Sequence, residues 1–273
     1  MRKFCYRGGE LPLDRCYLFG ILNATPDSFS DGGRFTAPEE IRRQAETLRD
    51  AGADVIDLGC ESTRPGYTPV AEEEELRRLK HALPAALSTG LPLSVDTLKV
   101  GCARYALDTG ATILNTVCDI TRNPELVEVA AEFGAGLIVT HNRATDDLAA
   151  DFADYFETTL HMAERAGLAK EQLCFDPGVG FAKEERQSAE AVRLLPELRQ
   201  YGVAVMLAAS RKRLVGAMTG APLEDEGTRD FGTAVLSAVG EVLGADFLRV
   251  HEVGLSKRAL GVSGYLREIG GDF

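Results

Sequence analysis

Short apolar runs rich in β-branched residues alternate with longer, polar-faced stretches along most of the chain. The runs Tyr17–Leu22, Val55–Leu58, Leu91–Val95, Thr112–Leu114, Leu137–Thr140, Leu173–Phe175, Val203–Ala208 and Asp246–Val250 read as strands. Between them, apolar positions recur at helical period over Pro38–Ala51, Glu72–Leu87, Lys99–Leu107, Pro124–Phe133, Asp151–Ala166, Ser188–Gln200, Phe231–Leu243 and Gly254–Leu266. Pro38 and Pro124 sit in first helical turns, where a missing N–H costs little, and Thr36 is placed to cap the first helix. Four helices run into glycine just ahead of the next strand, in "DAGADVIDL", "DTGATIL", "EFGAGLIV" and "VLGADFLRV", which is the chemistry of a helix-to-strand turn.

Eight strands, each followed by a helix, predict an α/β fold of the (β/α)8 barrel type. The competing topology is a doubly wound open sheet, but no G-x-G-x-x-G follows the first strand, so a dinucleotide fold loses its best support. No linker, low-complexity segment or solenoid repeat divides the chain. Residues 1–273 are therefore expected to form a single domain, with 1–16 as an extension or hairpin before the first barrel strand.

Composition narrows the class. At 45% apolar and 26% charged residues the chain has ordinary globular make-up. No long apolar window suggests a membrane span, and the N-terminal residues lack an apolar signal core, so a cytoplasmic location is expected. The six cysteines are scattered with no C-x-x-C pair, which predicts reduced, packed thiols rather than disulfides or a zinc site. A net charge of −12 disfavours nucleic acid and acidic membranes as partners. An anionic substrate then requires basic residues that converge locally.

Such convergence is what the strand ends predict. In a barrel, residues just past each strand line one shared mouth. In order these are Asn23, Asp57 with Glu61, Asp96, Asn115, His141, Asp176, Ser210-Arg211-Lys212, and Arg249 with His251. Asp96, Asn115 and Asp176 suit a planar heterocycle rich in N–H donors, where a charge-assisted hydrogen bond is worth roughly 1.5–3 kcal/mol. Arg64, Lys212, Arg249 and His251 are donors suited to phosphate, and the Asn23 oxygen suits a hard cation such as Mg²⁺. Gly-bearing loops after strands one, two and six ("SDGGRF", "ESTRPGYTP", "DPGVGF") are of the kind that close over, or lie against, a flat ligand.

Six motifs, "GILNATPDSFSDGG", "GADVIDLGCESTRPG", "LSVDTLKV", "FDPGVGFAK", "ASRKR" and "LRVHEV", together resemble dihydropteroate synthase over Gly20 to Val253. The resemblance implies a (β/α)8 barrel, usually a homodimer, and a sulfonamide target. It implies a Mg²⁺-assisted transferase of folate biosynthesis with two small-molecule substrates. It would join 6-hydroxymethyl-7,8-dihydropterin pyrophosphate to para-aminobenzoate by an SN1-like path. By motif, Asp96, Asn115, Asp176 and Lys212 would hold the pterin, and Asn23 would bind Mg²⁺. Thr63, Arg64, Arg249 and His251 would take the pyrophosphate, Asp31 would help order the closed site, and Phe181 would flank the aminobenzoate.

The match departs from the family pattern at Thr116, Thr140, Asn142, Cys60 and Arg213, the last standing where serine is usual. Arg213 either pairs with the aminobenzoate carboxylate or points to solvent. Two rival functions share the pterin site: a paralogue that binds pterin without turnover, and a methyltetrahydrofolate-dependent corrinoid methyltransferase, which has no need of pyrophosphate donors. Other features read as structural. Glu72–Glu75 is expected to be a solvated first helical turn favoured by the macrodipole, His81 and His161 surface residues, and Cys60 a packed thiol. "LVGAMTG" at 214–220 is expected to anchor the seventh loop and helix.

Overall fold

The computed structural model describes residues 2–25, 38–62 and 68–268, with only the backbone of the last two. Expected features at Asp31, Thr36, Thr63 and Arg64 lie outside the described residues. A hairpin of β1 (Lys3–Tyr6) and β2 (Gly9–Pro12) precedes eight parallel strands: β3 (Tyr17–Asn23), β4 (Val55–Gly59), β5 (Leu93–Asp96), β6 (Ile113–Thr116), β7 (Gly136–Thr140), β8 (Leu173–Asp176), β9 (Ala204–Leu207) and β10 (Phe247–Val250). These close in chain order, with β10 paired to β3, and leave no open edge. The helices between them are α1 (Pro38–Ala51), α2 (Glu72–Leu87), α3 (Val100–Thr109), α4 (Pro124–Phe133), α5 (Leu148–Ala166), α6 (Glu185–Arg193), α7 (Leu195–Leu198), α8 (Arg213–Thr219), α9 (Glu226–Val242) and α10 (Val253–Glu268). The open-sheet alternative is excluded by closure.

The strand alternation sorts the core into two layers. Tyr17, Phe19, Val55, Ile113, Ile138, Met206 and Phe247 fill the barrel interior. Leu18, Leu22, Leu58, Leu114 and Val139 face outward against the helices. The hairpin plugs the lower end: Phe4 is fully buried and stands edge-on to Phe247, with ring centroids 5.1 Å apart. Arg2 reinforces the plug by reaching Asp246 at 2.8 Å and the Val203 carbonyl at 2.7 Å. With the bottom filled by aromatics, the inward positions one step higher on each strand are left to form the mouth.

Some helix boundaries differ from expectation for local reasons. Helix α5 starts at Leu148 because the Asp147 carboxylate accepts from Ala150 N at 3.1 Å, and α9 starts at Glu226 because Asp225 accepts from Thr228 N at 3.0 Å. The stretch expected as one helix over 188–200 divides into α6, α7 and a 3₁₀ turn, with Pro196 in the first turn of α7. Residues 213–219 form a helix of their own, α8.

Candidate active site

Strand register brings the polar strand ends level. Asn23 aligns with Gly59, Gly59 with Asp96, and Asp96 with Asn115. Gly59 carries no side chain, and a Cβ there would stand 3.5 Å from Asn23 Oδ1. Space is thereby kept between the asparagine oxygen and Asp96.

Asp57 is the hub of the floor. It is fully buried and accepts from Ser94 Oγ at 2.6 Å, from Asn115 Nδ2 at 3.3 Å and from Arg249 Nε at 2.5 Å. Arg249 Nη2 donates in turn to Asp96 Oδ2 at 2.8 Å. The second Asp96 oxygen, Oδ1, is buried and finds no hydrogen-bond partner among the described residues. Burial pushes the Asp96 carboxyl up to about 7, against the pull of Arg249. Arg249 stays fully charged: burial opposes its charge, but Asp57 and Asp96 raise its pKa above the ordinary value. The anion-binding role expected of Arg249 is thus narrowed, since two faces of its fork are already held by carboxylates.

The opposite wall comes from β8 and the turn after it. Asp176 Oδ1 accepts from Gly178 N at 2.7 Å. Gly178 has φ +73°, and a Cβ there would lie 1.9 Å from the His141 carbonyl oxygen, so only glycine fits. Lys212 reaches over this turn, donating to Val179 O at 2.7 Å with its ammonium 4.3 Å from the Phe181 ring centroid. Burial brings the Lys212 pKa down to about 8, with Asp176 and Asp96 opposing the fall. Burial likewise raises the Asp176 carboxyl, and the Lys212 charge opposes it. Lys212 is presented by a strained neighbour: Arg211 has φ +56° and is tied through Nε and Nη2 to Asp230 at 2.7 and 2.8 Å. Buried Arg229 then donates to the Arg211 and Lys212 carbonyls at 2.7 and 3.2 Å. His251 Nδ1 meets Ser210 Oγ at 2.9 Å beside this loop.

Several expectations need correction. His141 does not line the mouth. It follows β7 at the outward phase of the pleat, is fully buried, and bonds Asp151 of α5 at 2.6 Å. Thr116 also faces outward, with Oγ1 against Cys118 Sγ, so the departure there lies outside the mouth. Arg213 is exposed at the start of α8. Glu72–Glu75 is not a solvated turn throughout. Glu75 is buried and accepts from Thr97 Oγ1 at 2.6 Å and Lys99 Nζ at 2.5 Å, and Lys99 also bonds Glu61. Glu61 Oε1 accepts from Val70 N at 2.8 Å, fastening the chain on the far side of the loop after β4. Asp57 was placed at the mouth without a role, and Lys99 and Arg229 were missed as site-supporting residues. For Asp57 and Lys99 a signal existed, the inward parity of "VIDLG" with "LSVD" and the position of Lys99 just past Asp96. His81 and His161 are exposed on their helices, and the six cysteines are free, Cys60 buried with its thiol pushed well up by burial.

A closed parallel barrel whose mouth sets two buried carboxylates, an amide and an ammonium around one cleft is what a pterin-binding enzyme requires, and the chain belongs to that family, whose model matches residues 19–251. A dihydropteroate synthase of Clostridium beijerinckii is 36% identical over 251 residues, covering 90% of this chain and 92% of that protein. A dihydropteroate synthase of Synechocystis is 38% identical over 250 residues, covering 88% of this chain and 86% of that protein. Among solved structures, Xanthomonas albilineans dihydropteroate synthase with 4-aminobenzoic acid matches with a TM-score of 0.91 and 36% identity, over 98% of this chain and 100% of that one. Within the family the chain stands with the dihydropteroate synthases, transferases of folate biosynthesis.

Proposed function

We propose that this chain joins 6-hydroxymethyl-7,8-dihydropterin pyrophosphate to para-aminobenzoate, giving 7,8-dihydropteroate and pyrophosphate. The observation that carries the reading is the unpartnered Asp96 Oδ1, buried between Arg249 and the Lys212 wall. A buried acceptor left open at this depth is costly unless a ligand supplies its donor. An aminopyrimidine edge offers such N–H donors to Asp96 and Asp176, with Asn115 beside them, and Lys212 donates to the ring's acceptor side.

The C–O bond to the pyrophosphate breaks with both electrons leaving on the oxygen. The electron-rich ring shares the resulting positive charge, and the carboxylates of Asp96 and Asp176 lower its cost. The neutral amine of para-aminobenzoate then forms the C–N bond and releases its proton. Phe181 would lie against the aminobenzoate ring, and Asp31 would help order the first loop over the site. His251, the remaining Arg249 donors, Thr63 and Arg64 would receive the pyrophosphate. Among the described residues no group of three or more His, Cys, Asp or Glu side chains could hold a metal. The Asn23 oxygen beside Gly59 fits Mg²⁺, which draws its other ligands from water and phosphate. When bound there it would neutralise charge on the departing pyrophosphate.

A homodimer is part of the same proposal. Phe231, Val235, Val239 and Val242 form an exposed stripe at helical spacing on α9, which packs on α10 with exposed Val262 and Tyr265. A second copy of that face would cover it. A cytoplasmic location is part of the same proposal, and the six free, scattered cysteines fit a reducing setting.

The test is product formation. With Mg²⁺ and both substrates, dihydropteroate followed by chromatography should appear together with pyrophosphate. It should vanish in Asp96→Asn and Lys212→Ala. Pterin binding without product in the unmodified chain would defeat the synthase reading.

A further inference from the structure

All three donors of the Lys183 ammonium are spent on protein acceptors. Nζ donates to His141 Nδ1 at 2.8 Å, to the His141 carbonyl at 3.0 Å and to the Phe181 carbonyl at 3.2 Å. A lysine ammonium has no acceptor, so His141 Nδ1 must accept, and the ring proton must sit on Nε2 and point at Asp151 Oδ2, 2.6 Å away. The histidine is neutral in this arrangement: burial, followed by the nearby Lys183 charge, lowers its pKa to about 4. His141 itself cannot move, being fully buried with Phe152 and Tyr155 centred 4.7 and 4.9 Å from its ring. Lys183 is thus a strut between an immobile wall, made by β7 and α5, and the turn that follows Asp176.

That turn needs a strut. Gly178, Gly180 and Ala182 take φ values of +73°, +77° and +47°, so left-handed residues recur at every second position and one of them carries a Cβ. Such a backbone persists only where its surroundings over-determine it. The same turn supplies the Phe181 ring under Lys212 and the Val179 carbonyl on which the Lys212 ammonium rests.

We propose that Lys183, acting through His141 and Asp151, is a positioning residue for the aminobenzoate half of the site. It holds the Phe181 carbonyl, and so the ring, at the height where the second substrate stacks. The pterin half is less exposed to its loss, because Asp96, Asn115 and Arg249 stand on other strands and Asp176 is fixed by β8 itself, ahead of the turn. This rests on the synthase reading above.

Lys183→Met should raise the KM for para-aminobenzoate about tenfold while the KM for the pterin pyrophosphate stays within about twofold. Asp151→Asn should shift the same constant in the same direction, and the double variant should shift it less than the product of the two single effects. Lys183→Gln, which keeps two donors on a shorter side chain, should fall between wild type and Lys183→Met, and is read in its place if Lys183→Met does not fold. Unchanged constants, or both KM values rising together as a general loosening would produce, would overturn the proposal. If the unmodified chain makes no product, the synthase reading is what has failed. Calorimetric titration of para-aminobenzoate into wild type and variant, with the pterin site filled by pterin and pyrophosphate, still decides the role of Lys183: a tenfold loss supports it and equal affinity overturns it.

Discussion

Arg249 Nη2 donates to one oxygen of Asp96 at 2.8 Å, while the other oxygen of the same carboxyl is buried without a partner among the described residues. The site is therefore half satisfied before any ligand arrives. Its charge state sets when it can be completed. Burial places the Asp96 carboxyl near 7 and the Lys212 ammonium near 8, so both are charged only in a narrow window between those values.

A bell-shaped pH profile is the first expectation. Below about 7 Asp96 takes up a proton and loses its acceptor capacity, and above about 8 Lys212 loses its charge. The kcat/KM for the pterin substrate should fall on both sides. Lys212→Arg should move the alkaline limb beyond reach, because a guanidinium does not deprotonate in this range. A flat profile from about pH 6 to 9 would rule out both assignments.

Gly178→Ala should be costly. A left-handed L-residue costs about 1–2 kcal/mol, and a Cβ placed 1.9 Å from a backbone oxygen adds an overpacking term of about 1–3 kcal/mol. Urea unfolding should show a loss of about 2–5 kcal/mol. An unchanged midpoint would mean that the turn bends freely.

Lys99→Met should destabilise the fold more at neutral than at acid pH. Burial already raises the Glu75 pKa, and the hydrogen bond from Lys99 is the largest effect opposing it. Removing that bond raises the folded-state pKa further. The native state then binds more protons than the unfolded one above the ordinary glutamate value of about 4.3, so stability falls as pH rises. A loss of about 3 kcal/mol is expected at neutral pH, recovering as Glu75 protonates. Urea midpoints that do not depend on pH would show that Glu75 is not stranded.

Arg213→Ser should leave stability unchanged to within about 0.5 kcal/mol, because the Arg213 side chain is exposed at the start of α8. Following directly after Lys212, it should still alter the KM for para-aminobenzoate more than that for the pterin. Steady-state kinetics with each substrate varied in turn would decide this, and equal shifts would count against it.

Val235→Glu combined with Val239→Glu should convert a sedimenting dimer into a monomer. The stripe on α9 is exposed in the single chain, and burying two carboxylates without partners is prohibitive. Wild type that sediments at the mass of one chain would remove the dimer from the proposal.

Much of this architecture was legible without coordinates. Hydrophobic runs of strand length, helical periods between them and turn glycines are local properties, so all eight barrel strands, to within one to two residues at their ends, and the spans of α1, α2 and α4 read directly from residue pattern. The polar strand ends were equally plain, because a strand that leaves its apolar run for Asn23, Asp96, Asn115 or Asp176 has left the core. What could not be read is the direction each group faces and whom it meets. His141 looked like its neighbours at the mouth, yet one step in the pleat sends it to the outer wall. Glu75 looked like one acid among four, yet the helix turns it onto Lys99 and Thr97.

Local pattern, then, determined the order of elements and the kinds of side chain at their ends, because periodicity and turn chemistry act over a few residues. Tertiary closure decided the pairings. Arg249 meets Asp57 across 192 positions of sequence only because β10 returns to β3 and the barrel shuts. That closure turns separate strand ends into one cleft, holds two of Arg249's donors on carboxylates, and leaves Asp96 with the open oxygen on which the proposed chemistry rests.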